Sequence, residues 1–99
     1  MTWRERIAAA RQRGGFTQED RRLAEVSYDH CAVGEVCRAL GVDLATFRAS
    51  LLYEIPFMGY DHPAAGLFPT LLKTDTIDRV EWCLDEIEDR VLRVKRGEA

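Results

Sequence analysis

Apolar residues recur along this chain every three or four positions, which is the spacing of one face of an α-helix. Trp3, Ile7 and Ala10 follow this spacing near the N-terminus. The longest example is the apolar seam of the last helix, which consists of Ile77, Val80, Leu84, Ile87, Val91 and Val94. The pattern predicts helices over most of the chain and no strands.

Residues that favour helix ends separate these apolar faces. Thr2 and Glu5 have the spacing of a capping box, in which each side chain bonds the backbone N–H of the other residue. The glycines at positions 14 and 15 stop this first helix. The later helix starts are predicted at Thr17, Asp29, Asp43 and Thr74 or Asp75, and the later ends at Gly41, at Ile55 before Pro56, and near Arg96.

The stretch 55–69 interrupts the helical pattern with three prolines and two glycines. We predict an irregular loop here, and its apolar side chains need cover from the chain's own core or from a partner. Those side chains are Phe57, Met58, Tyr60, Leu67 and Phe68. Packing on the chain's own core is the more ordinary of the two outcomes.

These elements predict an all-α fold: one domain over residues 1–99, built as a small bundle of about five helices with a long C-terminal helix. The chain is 46% hydrophobic and 31% charged, a balance typical of a soluble folded domain. No apolar run approaches the roughly 20 residues that span a bilayer. Three cysteines, an odd number, without a secretion signal indicate reduced thiols, so we expect the cytoplasm.

The apolar seam of the last helix allows two interpretations. It covers about two and a half heptads, which is short for a coiled coil, so docking into the chain's own bundle is favoured over dimerisation. If two copies did pair, an antiparallel arrangement is preferred, because Glu81 and Lys95 could then meet across the interface. Trp82 lies nearly opposite the seam and is a candidate interface anchor.

Residues 33–52 carry a turn between two predicted helices. Cys37 is small where the helices meet, Leu40-Gly41-Val42 makes the turn, Asp43 caps the second helix and Phe47 points inward. This fifth of the chain resembles a helix-turn-helix motif. It departs from that family at Gly34 and in having its second inward apolar residue at Leu51 instead of at position 50.

The resemblance implies DNA binding, with Thr46 and Arg48 touching base edges. The N-terminal and second helices add candidate phosphate contacts from Arg4, Arg11 and Arg22. Acidic residues are interleaved with these arginines, and the formal net charge is −3, which gives no general attraction to phosphate. DNA binding is therefore the less favoured function.

Residues with catalytic or metal-binding chemistry do not form a known pattern. The candidate zinc ligands are His30, Cys31, Cys37, His62 and Cys83, and their spacing matches no compact zinc site. No nucleophile can be placed beside a carboxylate and an imidazole. The sequence predicts no enzyme, no metal site and no cofactor.

The favoured function is a small cytoplasmic protein-interaction module, acting as a homodimer or as an adaptor or inhibitor of a protein partner, with no membrane contact. The predicted partner-binding residues are Phe57, Met58, Tyr60, Leu67, Phe68, Ile77, Val80, Trp82, Leu84, Ile87 and Val91. The alternative is a helix-turn-helix transcriptional regulator. Cys31-Ala-Val-Gly-Glu35 after the Thr17 helix start also resembles uncharacterised small helical bacterial proteins, a resemblance that implies no function.

Overall fold

A computed structural model describes residues 1–24, 32–53 and 77–98 of the chain. Within these ranges the chain forms α-helices and one 3-10 turn, and no strand is present. The helices are α1 Trp3–Arg13, α2 Gln18–Ala24, α3 Ala32–Leu40, α4 Leu44–Arg48 and α5 Ile77–Lys95, and the 3-10 turn is Leu51–Tyr53. The predicted all-α bundle with a long C-terminal helix is confirmed.

The helix starts that lie in the described residues follow the predicted caps. Glu5 N donates to Thr2 Oγ1 at 3.1 Å and Thr2 N donates to Glu5 Oε1 at 2.7 Å, which completes the capping box. Thr17 and Asp20 exchange the same pair of bonds, each at 3.1 Å. Asp43 accepts from Thr46 N at 3.1 Å. Local sequence therefore sets where α1, α2 and α4 begin.

Two helix ends depend on glycine. Gly14 and Gly41 have φ values of 91° and 72°, a left-handed conformation that side chains with a Cβ rarely adopt. After each glycine the backbone turns back, and the next residue donates to a carbonyl five positions earlier, as Val42 N does to Cys37 O at 2.9 Å. These turns send α1 toward α2 and α3 toward α4.

The apolar seam of α5 forms the centre of the core. Val80, Leu84, Ile87 and Val91 are no more than 1% exposed, and Ile77 and Val94 pack against them. They are covered by α3 and α1, the helices that α5 contacts most. The core residues from elsewhere in the chain are Trp3, Ile7, Ala10, Ala32, Val33, Val36, Cys37, Phe47 and Tyr53. The bundle interpretation of the seam is confirmed.

This burial corrects the predicted partner-binding set. Val80, Leu84, Ile87 and Val91 are internal, and Ile77 is half-buried against the core, so these seam residues do not form an accessible surface. The physical reason is that α1 and α3 supply enough apolar side chains to cover the seam without a second molecule.

The fourth helix is shorter than predicted. Its α-helical part ends at Arg48, because Ser50 bonds the Phe47 carbonyl with both its backbone N, at 3.0 Å, and its hydroxyl, at 2.7 Å. The tighter turn that follows puts the Tyr53 ring edge-on to Phe47, with the ring centroids 5.6 Å apart. Leu51, predicted to point inward, is 87% exposed instead.

Several predictions lie outside the described residues. They are the irregular loop 55–69 with Phe57, Met58, Tyr60, Leu67 and Phe68, the Asp29 cap, and the Thr74 or Asp75 cap.

A buried carboxylate connects α1 to α2. Asp20 is 3% exposed, and Arg6 donates to it at 2.8 Å while Arg13 lies 3.5 Å away. Burial alone raises the pKa of Asp20, but the hydrogen bond from the Thr17 backbone and the pairing with Arg6 outweigh it, so the net pKa is lowered. Asp20 is thus held as an anion in the folded protein.

Two leucines allow a direct test of the core. We expect Leu84→Ala to lower the free energy of unfolding by about 3 kcal/mol, because Leu84 is 1% exposed and its loss leaves a cavity. Leu51→Ala is the matched control and should cost less than about 0.5 kcal/mol. Urea unfolding followed by circular dichroism measures both. Equal costs would contradict the assignment of the core.

The Asp20 pairing predicts a pH dependence. Asp20→Asn should lower the free energy of unfolding by about 2 kcal/mol at neutral pH, because two arginines lose their buried partner. Since the folded-state pKa is lowered, this contribution is complete above the ordinary aspartate pKa of about 4 and is lost as pH falls through the folded-state value. Urea titrations at several pH values check this, and a cost that stayed constant into strong acid would contradict it.

Candidate functional site

Two arginines of α1 join it to α5 through carboxylates. Arg4 donates to both oxygens of Glu88, at 3.0 and 3.1 Å, and to Asp85. Arg11 lies 2.7 Å from Asp78 and 2.8 Å from Glu81. The arginines are seven positions apart on α1, and their partners are seven positions apart on α5 in reverse order, so the two helices run antiparallel. This fixes the start of α1 beside the second half of α5.

The pairing also determines the charge of this surface. The pKa of Arg4 is raised by its hydrogen bonds to Glu88 and Asp85, against the effect of burial. The pKa of Arg11 is raised by Asp78 and Glu81 in the same way. Both guanidinium groups therefore remain protonated, and each is balanced by two carboxylates.

The arginines predicted as phosphate contacts lie close to carboxylates of the same chain. Arg4 and Arg11 are engaged by acidic side chains of α5, and Arg22 lies 4.0 Å from Glu19 on its own helix. Arg6 and Arg13 both contact Asp20. Except for Arg22 and Glu19, the acids and arginines lie in different helices, and the packing of α1 on α5 and α2 brings them together.

A groove of about 270 Å³ lies where the start of α1 meets α3 and α5. We call it the α3–α5 groove. Its apolar lining residues are Val36, Ala39, Leu40 and Leu92, and its polar lining residues are Thr2, Arg4, Glu35 and Glu88. Leu92 is 37% exposed, whereas Val36 is 5% exposed. The groove is thus an apolar strip with buried and exposed parts, flanked by charged groups.

Hydrogen bonds hold the polar side of the groove in place. Glu35 accepts from Trp3 N at 2.8 Å, which satisfies a free N–H in the first turn of α1. Glu88 is held by Arg4. Because the groove borders on these fixed groups, its walls are preformed.

A second, more open hollow of about 440 Å³ lies between α4 and the end of α5. It is lined by Thr46, Ala49, Ser50, Val94 and Gly97. Most of these side chains are small, so this hollow offers few apolar anchors.

The predicted site residues are dispersed over the described surface. Trp82 is 47% exposed on α5, and it does not line the groove. Thr46 and Arg48 are exposed on α4, with the Thr46 hydroxyl 3.2 Å from Asp43. Sequence reasoning missed the groove residues Ala39 and Leu40 as a surface. The signal was Glu35 and Ala39, four positions apart and therefore on one face of α3.

The turn between α3 and α4 contains the glycine, the cap and the inward aromatic residue at the predicted positions. Gly41 makes the turn, Asp43 caps α4 and Phe47 is fully buried. However, α4 contains five residues, and five residues rise only about 7.5 Å. A helix this short presents little more than Thr46 and Arg48 to a DNA groove.

Known proteins provide no further assignment. Neither the protein-family models nor the curated proteins nor the solved structures contain a match to this chain. Within the described ranges, no group of three or more metal-ligating side chains is positioned to hold an ion. None of the described helices combines the length and apolarity that crossing a membrane requires. The fold alone assigns the chain to small all-α bundles.

The contacts of Arg4 predict a salt-dependent contribution to stability. Arg4→Gln should lower the free energy of unfolding by up to about 1 kcal/mol at low salt, because half-exposed pairs are partly screened by solvent. Arg22→Gln is the matched control and should have no measurable effect, since its partner is 4.0 Å away. Thermal unfolding at two salt concentrations measures both, and an equal effect of the two substitutions would contradict the role given to Arg4.

Proposed function

We propose that this chain is a small helical protein-interaction module whose contact surface is the α3–α5 groove. The observation that carries the proposal is an apolar strip in which Ala39, Leu40 and Leu92 are exposed or half-buried and Val36 lies buried beneath them. The proposal assigns no catalytic step and no cofactor to the chain.

The dimensions of the groove suit apolar side chains of a protein partner. Its volume of about 270 Å³ is near the lower end of the roughly 300–1,000 Å³ of most ligand pockets. One or two large apolar side chains would fill it, which is how an amphipathic helix anchors in the groove of a partner.

The charges around the groove support the same function. Arg4 is balanced by Asp85 and Glu88, and Glu35 adds a further negative charge. The surface beside the groove is therefore mixed and slightly acidic, which favours a partner that carries cations next to its apolar anchors.

We also place this module in the cytoplasm as part of the proposal. The sequence has an odd number of cysteines, three, and both of those in the described residues, Cys37 and Cys83, are buried, where a reduced thiol packs as a small apolar side chain.

DNA binding is the second candidate function, and one observation favours it: the α3–turn–α4 unit forms with the predicted cap and turn. Thr46 and Arg48 would then touch bases. Two observations argue against DNA binding. The arginines of α1 that could contact phosphate are engaged by carboxylates, and α4 is only five residues long. We therefore rank it below protein binding.

A photo-reactive amino acid at position 92 tests the proposal. In the cells that produce the protein, position 92 should crosslink to a defined protein band, whereas position 51, an exposed leucine away from the groove, should not. A photo-reactive amino acid at position 39, on the other side of the groove, should give the same band. Adding Leu92→Asp to that variant should abolish the band. Purified protein with duplex DNA should show no change in light-scattering mass at low or moderate salt.

Two results would contradict the proposal. One is the absence of any protein adduct specific to position 92. The other is tight binding of duplex DNA with an affinity that falls steeply as salt rises, which is the behaviour of phosphate contacts and would favour the alternative function.

A further inference from the structure

The outward face of α5 shows a charge pattern that the core does not explain. The outer stripe, as we call it, consists of Asp85, Glu88, Asp89, Leu92, Lys95 and Arg96, spaced so that they follow one side of the helix. Leu92 lies at its centre and lines the α3–α5 groove. The acidic members all precede Leu92 and the basic members all follow it.

Several of these charged groups are available to a partner. Asp89 and Lys95 are exposed, and in the described part of the chain no ion pair engages either of them. Arg96 is exposed and contacts Glu98 at 2.9 Å, near the end of the described residues. Glu88 is half-buried and bonded to Arg4, and a carboxylate can accept further bonds.

An antiparallel pair of such helices brings opposite charges together. When two copies of α5 cross at Leu92, residues before Leu92 in one copy lie beside residues after it in the other. Helical geometry then sets Glu88 beside the second copy's position 95, a lysine, and Asp89 beside position 96, an arginine. A parallel pair would instead set acids against acids and bases against bases.

We propose that the partner in the α3–α5 groove is a second copy of this chain, with the two α5 helices antiparallel and crossing at Leu92. This inference rests on the proposed function and names its partner. Each copy inserts its Leu92 beside the groove of the other and offers cations to the other's acidic residues. Both copies use the same surface, which is the condition for a closed two-fold dimer.

The arrangement differs from pairing through the apolar seam. The seam is buried within one chain, and Glu81, which an antiparallel seam pair would use, is bonded to Arg11 of the same molecule. The outer stripe lies on a neighbouring face, roughly a third of a turn around the helix from the seam. Because the contact is confined to one helix face and one groove, it is a small interface, and we expect a dissociation constant of about 10–100 µM.

The self-association itself is measured by sedimentation equilibrium of the full chain from about 1 µM to about 1 mM. The mass should rise from one chain toward two, and higher salt should shift the transition to higher concentration. A mass of one chain throughout would overturn the inference.

Charge reversals test the antiparallel arrangement. Asp89→Lys alone and Arg96→Glu alone should each weaken dimerisation by about tenfold or more. Position 89 of each copy faces position 96 of the other, so either substitution creates two contacts between like charges. An equimolar mixture of the two variants should recover dimers, and so should the double variant. This pairing would be contradicted if both single variants dimerised weakly and their mixture did not recover dimers. It would also be contradicted if either single variant dimerised more tightly than the unmodified chain.

Leu92→Asp tests the centre of the interface. It should weaken dimerisation by about a hundredfold or more, since two carboxylates would be buried at the axis. Leu51→Asp, the same change at a more exposed leucine, should leave the dimer unchanged. Circular dichroism should show that both variants keep the fold. Equal effects of the two substitutions would overturn the assignment of the surface.

The two proposals can fail separately. A monomeric chain whose position 92 crosslinks to a different protein would end the self-association inference and leave the interaction module standing. A monomeric chain with no position-specific adduct would end both.

Discussion

The packing of α5 on α1 and α3 is the constraint on which the rest of the structure depends. The apolar seam supplies four side chains that are almost fully buried, and burial of this kind is the main favourable term in folding. The ion pairs of Arg4 and Arg11 with their carboxylate partners add to this packing and match the antiparallel register of α1 along α5. Among the described residues, α1 and α3 cover the inner face of α5, and the outer stripe with Leu92 stays partly exposed.

The two faces of α5 differ in their chemistry. The inner face is continuous and apolar, whereas the outer face has one central leucine between acidic and basic ends. An apolar seam gives stability with little choice of orientation, and segregated charges give orientation with little stability. Leu92 belongs to both the outer stripe and the groove, so a contact there is both anchored and directed.

Much of the fold could be predicted from the sequence because its signals are local. Thr2, Thr17 and Asp43 cap helices through residues three positions away, and the seam has a clear period. Leu51 was misplaced because the break after Arg48 depends on which hydrogen bond Ser50 makes. Glu35 and Ala39 mark one face of α3 in the sequence, but the groove itself could not be predicted, since Ala39 and Leu92 become neighbours only when α3 and α5 pack. For the same reason, the ion pairs of Arg4 and Arg11 with the carboxylates of α5 could not be predicted.

Backbone amide chemical shifts, followed as the protein is diluted, test the central claim most directly. The account predicts concentration-dependent shifts confined to α5 around residues 88–96 and to α3 around residues 36–40, with the seam residues unchanged. Shifts centred on the seam or on Leu51, or none up to millimolar concentration, would contradict the account.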